Sequence, residues 1–294
     1  MAPSNDLTAR IEALLTARTE RSVRVLQADA IGGGSINDAY RIGTNAGRYF
    51  LKVNSADRFP SMFEAEADGL RRLREAHAVR APAVIAFGEE ADEAFLLLEH
   101  IEDGARGRAF WERFGQALAA LHRNTHSHFG LERDNYIGSL KQVNTPTADW
   151  AAFFIRHRLE PMVKMARDTK RTEAGMAFRF ERLFGKLEWL FPKEPPALLH
   201  GDLWNGNFLS GPGGEPVLID PAVYYGHREM DIAMTMLFGG FDAGFHTAYN
   251  AAWPMELGWE ERVELCNLYP LLVHANLFGG GYPQKVEAVL RRHT

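Results

Sequence analysis

The 294-residue chain is 46% hydrophobic and 24% charged, which is typical of a soluble globular protein of about two domains. Its formal charge of −5, its single cysteine (Cys266) and the lack of a long apolar segment argue against a nucleic-acid partner, a disulfide or thiolate cluster, and a membrane span. Since residues 1–10 also lack the pattern of a secretory signal, we expect a cytoplasmic protein.

The first hundred residues predict a sheet covered by helices. Asp6 is a candidate N-cap of a helix whose apolar positions fall on one face. These positions are Leu7, Ile11, Leu14 and Leu15. Strand-like runs follow at 22–30, 37–43, 48–54, 83–87 and 94–98, and an amphipathic helix covers 59–76. The pattern predicts a five-stranded antiparallel sheet with one long helix, in a small lobe of residues 1–98.

From residue 99 onward the pattern becomes mainly helical. A helix begins near Phe110, and further amphipathic segments cover 149–166, 172–189, 229–237, 241–251 and 259–277. The turn sequence Gly-Pro-Gly-Gly at 211–214 joins short strands at 207–209 and 217–219. We therefore expect an α+β fold in which a hinge at 99–104 connects the sheet lobe to a larger, mainly helical lobe at 105–294.

Three polar residues of the second lobe have the spacing of a phosphoryl-transfer site. Asp202 and Asn207 follow His200, and Asp220 comes later in an Ile-Asp-Pro sequence. In kinase-like sites the first Asp accepts the proton of the acceptor hydroxyl, while the Asn and the second Asp bind magnesium beside the nucleotide phosphates. A surface turn rich in Gly and Asn is the alternative interpretation, because such short matches are common.

Two backbone segments are candidates for contacts with a nucleotide. A glycine-rich loop, Gly32, Gly33, Gly34 and Ser35, lies between two strand-like runs. Glycine lets backbone N–H groups approach phosphates closely, although the loop lacks a Walker A sequence and an ordinary hairpin turn is the alternative. At the hinge, the backbone of Glu99, His100 and Ile101 could hydrogen-bond a nucleotide base.

A charged pair completes the predicted nucleotide site. Lys52 lies in an apolar strand, where a lysine is costly unless its amine reaches solvent or an anionic partner. Glu66 on the following helix is the candidate partner, with Glu64 as second choice. Such a Lys–Glu pair positions the phosphates in kinase-like sites, whereas an ordinary exposed helix acid is the alternative for Glu66.

Longer motifs carry a family resemblance. They include Gly-Gly-Gly-Ser-Ile at 32–36, Phe-Leu-Lys-Val-Asn at 50–54, His-Gly-Asp-Leu-Trp-Asn-Gly-Asn at 200–207, Tyr-Tyr-Gly-His-Arg-Glu at 224–229 and Phe-Gly-Gly-Phe at 238–241. From about residue 20 to 290, the chain resembles a bacterial member of the fructosamine kinase (ketosamine-3-kinase) family. That family belongs to the aminoglycoside phosphotransferase and choline kinase superfamily, so the resemblance implies a two-lobed protein-kinase-like fold.

The resemblance also implies a reaction, the ATP- and Mg²⁺-dependent phosphorylation of the 3-hydroxyl of ketosamines, free or protein-bound. Fructosamine, ribulosamine and erythrulosamine adducts are the expected substrates. The implied roles are catalytic base for Asp202, magnesium ligands for Asn207 and Asp220, and phosphate positioning for Lys52 with Glu66. A phosphate on O3 is a leaving group close to the C2 carbonyl, so the product can eliminate phosphate and release the free amine, which is a deglycation activity.

Residues near these motifs are candidates for substrate contacts or for support. Trp204 could stack on the sugar chain. An acceptor-side wall is expected from Tyr224, Tyr225, His227, Arg228 and Glu229. Asp231, near the start of a helix, is expected to be structural and to stabilise the catalytic loop by accepting from free N–H groups. We expect His122 and His126 to be surface residues, because no third zinc ligand accompanies them.

Two other function classes stay open at this stage. A related kinase could act on an aminoglycoside, choline or homoserine, although the mixture of Tyr, His, Arg and Glu after Asp220 argues mildly against a cationic antibiotic. A non-enzymatic binding protein would not need Lys52, Asp202, Asn207 and Asp220 together. The motifs leave the oligomeric state undetermined.

Overall fold

A five-stranded antiparallel sheet forms the first lobe. In the computed structural model, which describes residues 2–32, 36–171 and 175–294, the strands are β1 (Val25–Ile31), β2 (Asp38–Thr44), β3 (Gly47–Ser55), β4 (Val84–Glu90) and β5 (Glu93–Glu99). Their spatial order is β1-β2-β3-β5-β4. The predicted five-stranded sheet is therefore confirmed, with small shifts at the strand ends.

Two helices cover opposite faces of this sheet. Helix α1 (Asn5–Thr19) packs on the face that includes Leu51 and Val53, and α2 (Met62–Glu75) packs on the other face. Because side chains alternate along a strand, Lys52 on β3 points toward α2. The predicted cap of α1 was wrong by two residues: Ser4, in extended conformation, accepts the capping bond from the N–H of Leu7 at 3.2 Å.

The second lobe is mainly helical. Its helices are α3 (Phe110–His122), α4 (Trp150–Phe154), α5 (Glu160–Asp168), α6 (Met176–Leu190), α7 (Glu229–Leu237), α8 (Ala243–Ala252), α9 (Trp259–Cys266), α10 (Leu268–Phe278) and α11 (Tyr282–His293). Short antiparallel pairs join β6 (Asn135–Ile137) to β7 (Leu140–Gln142), β8 (Ala197–Leu199) to β11 (Tyr224–Gly226), and β9 (Phe208–Ser210) to β10 (Pro216–Leu218). No helix of the described ranges is long and apolar enough to cross a membrane.

Two predicted helices are interrupted. The segment predicted at 149–166 contains a π-helical turn, Ile155–Leu159, between α4 and α5. The segment predicted at 259–277 divides at Asn267, whose Nδ2 donates to the carbonyl oxygen of Ala233 at 2.9 Å. In both cases the helical spacing of apolar residues continues through the interruption, so the sequence pattern alone does not reveal the break in the helix.

One hydrophobic core extends across both lobes. It combines α2 and β5 with α3, β8 and β10 of the second lobe. This shared core fixes α2 against the helical lobe and therefore positions every residue that α2 carries. The predicted hinge at 99–104 lies in the connection between β5 and α3, and the division into separate domains stays a prediction.

Helix α3 meets α8 at Gly115. A Cβ at this position would collide with the carbonyl oxygen of Phe245 and lie 2.8 Å from the backbone nitrogen of Tyr249. Both of these atoms belong to the backbone, so neither can move aside by a change of rotamer. The close approach of the two helices therefore requires glycine.

We predict that Gly115→Ala lowers the free energy of unfolding by about 1–3 kcal/mol, because the backbones must separate to admit the methyl group. Gly185→Ala in α6 is the matched control, since nothing lies within 4 Å of the added Cβ. There, helix propensity should raise the free energy of unfolding by about 0.5–1 kcal/mol. Urea denaturation measures both changes, and equal effects at the two positions would contradict the close α3–α8 packing.

Candidate active site

Lys52 forms ion pairs with residues of both lobes. Its Nζ lies 2.6 Å from Oε1 of Glu66 on α2 and 2.8 Å from Oδ1 of Asp220. The lysine side chain is 6% exposed and that of Asp220 46%. Burial opposes the charged form of Lys52, but Asp220 and Glu66 more than offset this and raise its pKa. A buried cation thus lies beside a partly exposed carboxylate.

The predicted base and the predicted first metal ligand are in direct contact. Nδ2 of Asn207 donates to the backbone oxygen of Asp202 at 2.9 Å and to its carboxylate Oδ2 at 3.0 Å. Burial raises the pKa of Asp202 to about 7, with a smaller contribution from the charge of Asp220 and an opposing one from the Asn207 hydrogen bond. Asp202 can therefore exchange a proton near neutral pH.

Asp231 holds the backbone at the start of the catalytic loop. Its carboxylate accepts hydrogen bonds from the N–H of His200 at 2.7 Å and of Gly201 at 2.9 Å. Burial opposes its charged form, yet the bonds from His122 and the backbone lower the pKa of Asp231. This bears out the structural role expected for Asp231, which lies in the first turn of α7.

The expectation of two surface histidines is half correct. His126 is exposed. His122 is fully buried, with Nε2 3.2 Å from Asp231 and Nδ1 2.8 Å from the hydroxyl of Tyr249. The periodicity of α3 could not reveal this, because both partners of His122 lie more than 100 residues away along the chain.

The imidazole of His200 joins the catalytic loop to the segment that carries Asp220. Its Nε2 lies 2.8 Å from the carbonyl oxygen of Ile219, and its Nδ1 lies 3.2 Å from the N–H of Asp202. Burial lowers the pKa of His200, so the neutral ring donates through Nε2 and accepts at Nδ1. Gly201, at φ +83°, allows the carbonyl oxygen of Ala222 to approach where a Cβ would collide. The two loops are thereby fixed against each other.

The donor set between these loops suits a magnesium ion. Asn207 uses its amide nitrogen for the bonds to Asp202, and its amide oxygen accepts no hydrogen bond from the described residues. Asp220 adds a carboxylate that is 46% exposed. Within the described ranges, no group of three His, Cys, Asp or Glu residues is arranged to hold a metal ion by itself. One amide and one carboxylate are nevertheless sufficient, because Mg²⁺ takes few protein ligands beside nucleotide phosphates.

The predicted acceptor-side wall is wrong for four of its five residues, which are buried. Tyr224 is 1% exposed and lies under the guanidinium of Arg158, whose central carbon is 4.1 Å from the ring centroid. His227 is fully buried against the carbonyl oxygen of Pro192, and Glu229 forms two hydrogen bonds with Arg262. Their polar groups contact other residues of the protein near the start of α7 and are therefore not available to a substrate.

Tyr225 is the remaining member of that group. It is half-buried and stacks on His126, with ring centroids 4.7 Å apart. A substrate contact for Tyr225 stays a prediction. Arg228, the neighbour of His227, forms a buried bidentate pair with Glu194 at 2.7 and 2.8 Å, which further stabilises the start of α7.

Trp204 begins an aromatic row on the second lobe. Its side chain is 37% exposed, and its ring centroid lies 6.1 Å from that of Phe238. The row continues from Phe238 to His274 at 4.9 Å and on to Phe278 at 5.6 Å. In the sequence, Phe238 is notable only as part of the Phe-Gly-Gly-Phe motif, and no pattern indicates that residues of α10 lie beside it. The sequence therefore does not predict this aromatic row.

The nucleotide-binding backbone segments are partly described. A Cβ built on Gly32 would have no atom of the described residues within 4 Å, whereas Gly33, Gly34 and Ser35 lie outside the described residues. At the hinge, the side chain of Glu99 pairs with Arg80 at 2.7 Å. The backbone N–H groups of His100 and Ile101 donate to no described residue, which leaves them available to a ligand.

Comparison with known proteins agrees with this geometry. The family described as "Fructosamine kinase" matches residues 7–294. A "probable ketoamine kinase" of Synechocystis is 40% identical over 95% of this chain and 94% of that protein. A chloroplastic protein-ribulosamine 3-kinase of Oryza sativa subsp. indica is 37% identical over 92% of this chain and 79% of its own length.

Solved structures show the same relationship. A Thermobifida fusca protein assigned as a fructosamine-3-kinase superposes with a TM-score of 0.87 and 34% identity, covering 98% of each chain. The aminoglycoside phosphotransferase APH(4)-Ia superposes with a TM-score of 0.61 and 15% identity, covering 97% of this chain and 99% of its own, and shares the fold alone. The fold is thus the two-lobed, protein-kinase-like α+β fold, and the chain belongs to the fructosamine kinase family.

Proposed function

We propose that the protein transfers the γ-phosphoryl group of ATP to the 3-hydroxyl of ketosamines, the adducts that sugars form with amines. The observation that carries this proposal is the convergence of Lys52, Glu66 and Asp220 in ion pairs beside the hydrogen-bonded Asp202 and Asn207. The names of the relatives, ketoamine kinase and protein-ribulosamine 3-kinase, support the choice of acceptor.

The first lobe binds the nucleotide. Lys52, oriented by Glu66 at 2.6 Å, neutralises the α- and β-phosphates, and residues 32–35 cover them. The free N–H of Ile101 donates to the base at the hinge formed by Glu99, His100 and Ile101. Asn207 and Asp220 would hold Mg²⁺, which would supply positive charge to offset that of the nucleotide phosphates.

Asp202 accepts the proton of the acceptor hydroxyl. As O3 of the ketosamine forms its bond to the γ-phosphorus, the bond to the β-phosphate oxygen breaks and ADP leaves. The O3 proton passes to the carboxylate of Asp202, whose raised pKa of about 7 suits a base that works near neutral pH. Because the transition state is loose, the positioning of the two reactants contributes more than the strength of the base.

The aromatic row that starts at Trp204 holds the acceptor beside Asp202. The exposed indole packs against the apolar face of the sugar chain, and Phe238 and His274 extend that surface. In the product, loss of a proton from C1 forms a C1=C2 enaminol. The nitrogen lone pair then expels the phosphate from C3 and leaves a C1=N iminium group, whose hydrolysis by water releases the amine. The activity therefore reverses glycation of a small-molecule or protein-bound amine.

The acceptor is tested by ADP release with ATP, Mg²⁺ and a panel of acceptors. We expect turnover of ribulosamine- and fructosamine-lysine, with one phosphate on O3 by ³¹P NMR. The matched control is the 3-deoxy analogue of the same ketosamine, which should give no turnover because it lacks the accepting hydroxyl. Turnover of choline, homoserine or an aminoglycoside alone would contradict the proposal.

The role of Asp202 predicts a pH profile. Its carboxylate must be deprotonated to accept a proton, and its pKa is raised to about 7, so kcat/KM for the acceptor should rise with pH and level off above about 7. Asp202→Asn should lower kcat by about 10²–10⁴-fold, with MgATP binding retained. A profile that is flat from pH 5.5 to 8, or an Asn variant with wild-type kcat, would remove Asp202 from this role.

A further inference from the structure

A segment of the second lobe, residues 131–144 (hereafter the strap), reaches across to α2, the helix that carries Glu66. Arg133 pairs with Glu64 at 3.0 Å, and Glu132 pairs with Arg72 at 2.9 Å. The hydroxyl of Tyr136 donates to the carbonyl oxygen of Pro60, just before α2, at 3.0 Å. The strap thus contacts α2 along most of its length.

The base of the strap is a buried polar network. Asn135, Gln142 and Asn144 are all less than 7% exposed. Gln142 and Asn144 both donate to the amide oxygen of Asn135, at 2.8 and 2.9 Å. Two donors reach the segment that follows Asp220: Asn135 donates to the carbonyl oxygen of Val223 at 2.8 Å, and Gln142 to that of Ala222 at 3.1 Å. Asn144 also donates to the carbonyl oxygen of Arg133 at 3.1 Å. A satisfied buried network of this kind is rigid.

The tip of the strap lies beside Ile36 and Leu277. A Cβ built on Gly138, in the β6–β7 turn, would lie 3.0 Å from Cδ1 of Leu277 and 3.3 Å from Cδ1 of Ile36. Ile36 directly follows the glycine-rich loop, and Leu277 belongs to α10. The strap therefore contacts α2, Ile36 just before β2, and the segment after Asp220, all of which adjoin the candidate site.

The first turn of α2 lacks a side-chain cap. Ser61, its N-cap residue, makes no side-chain capping bond, so the free N–H groups of this turn lack the usual acceptor. Glu64 and Glu66 lie in or next to that turn. An ion pair from Arg133 to Glu64 therefore acts at the end of α2 that positions Glu66 for Lys52.

We propose that the strap is a positioning element that holds α2 where Glu66 pairs with Lys52, so that the nucleotide site is assembled before a ligand binds. This rests on the proposed function, in which that pair holds the nucleotide phosphates. Exposed ion pairs contribute little individually. The most informative variant is therefore one that reverses the charge of Arg133, because it replaces attraction to Glu64 by repulsion.

The test measures the dissociation constant of MgATP by calorimetry, without any acceptor. Arg133→Glu places a carboxylate beside Glu64 and should raise Kd by roughly three- to tenfold. Adding Glu64→Arg should restore the wild-type Kd to within about twofold. The matched control is Arg292→Glu, which breaks an exposed pair with Glu264 at 2.7 Å between α9 and α11 and should leave Kd unchanged.

A second measurement separates positioning from general stability. If the strap acts through the Glu66–Lys52 pair, Arg133→Glu should have no further effect on Kd in a Glu66→Gln background. Tyr136→Phe, which removes only the hydroxyl that bonds Pro60, should shift Kd in the same direction as Arg133→Glu. Thermal melting of each variant checks that it remains folded at the assay temperature.

Different results would contradict the positioning role of the strap and the proposed nucleotide site. If Glu66→Gln weakens MgATP binding but Arg133→Glu and Tyr136→Phe do not, the strap has no positioning role and the nucleotide site stands. Equal effects of Arg133→Glu with and without Glu66 would also overturn the inference. If Glu66→Gln leaves Kd unchanged, both the nucleotide site and the inference fail.

Discussion

The candidate site depends on one buried cation, Lys52, held between carboxylates of the two lobes. Glu66 comes from α2 and Asp220 from the segment after β10, at 2.6 and 2.8 Å from the amine. Burial without these partners would disfavour a charged lysine, and the two carboxylates without the lysine would repel each other. The ion pairs of Lys52 therefore need residues of both lobes. The shared hydrophobic core holds the lobes together so that these charged groups stay in contact.

Asp202 and Asp231 have different roles, because their surroundings shift the pKa values of their carboxyl groups in opposite directions. Asp231 accepts bonds from two backbone N–H groups and contacts His122, which together lower its pKa and keep it a permanent anion that fixes the loop. Asp202 has one amide donor, Asn207, and burial raises its pKa to about 7. Pairs of carboxylates whose environments separate their pKa values are typical of acid–base sites.

Local patterns predicted the sheet and the catalytic spacing, because both depend on residues close together in the chain. Strand alternation located the five strands, and the separation of Asp202 from Asn207 is a property of a single loop. The sequence did not predict which polar residues are buried. His227 and Glu229 have the chemistry of a binding wall, but Pro192 and Arg262 enclose them. These partners are remote in the chain, and only the tertiary fold brings them together.

In the proposed function, Lys52 acts as a fixed cation for the nucleotide phosphates. The affinity of MgATP for Lys52→Met measures this role, because methionine is unbranched and only one atom shorter than lysine but carries no charge. We predict that the dissociation constant rises by at least about tenfold, which corresponds to about 1.4 kcal/mol of lost binding free energy, while the variant remains folded by circular dichroism. An unchanged dissociation constant in a folded variant would contradict this account.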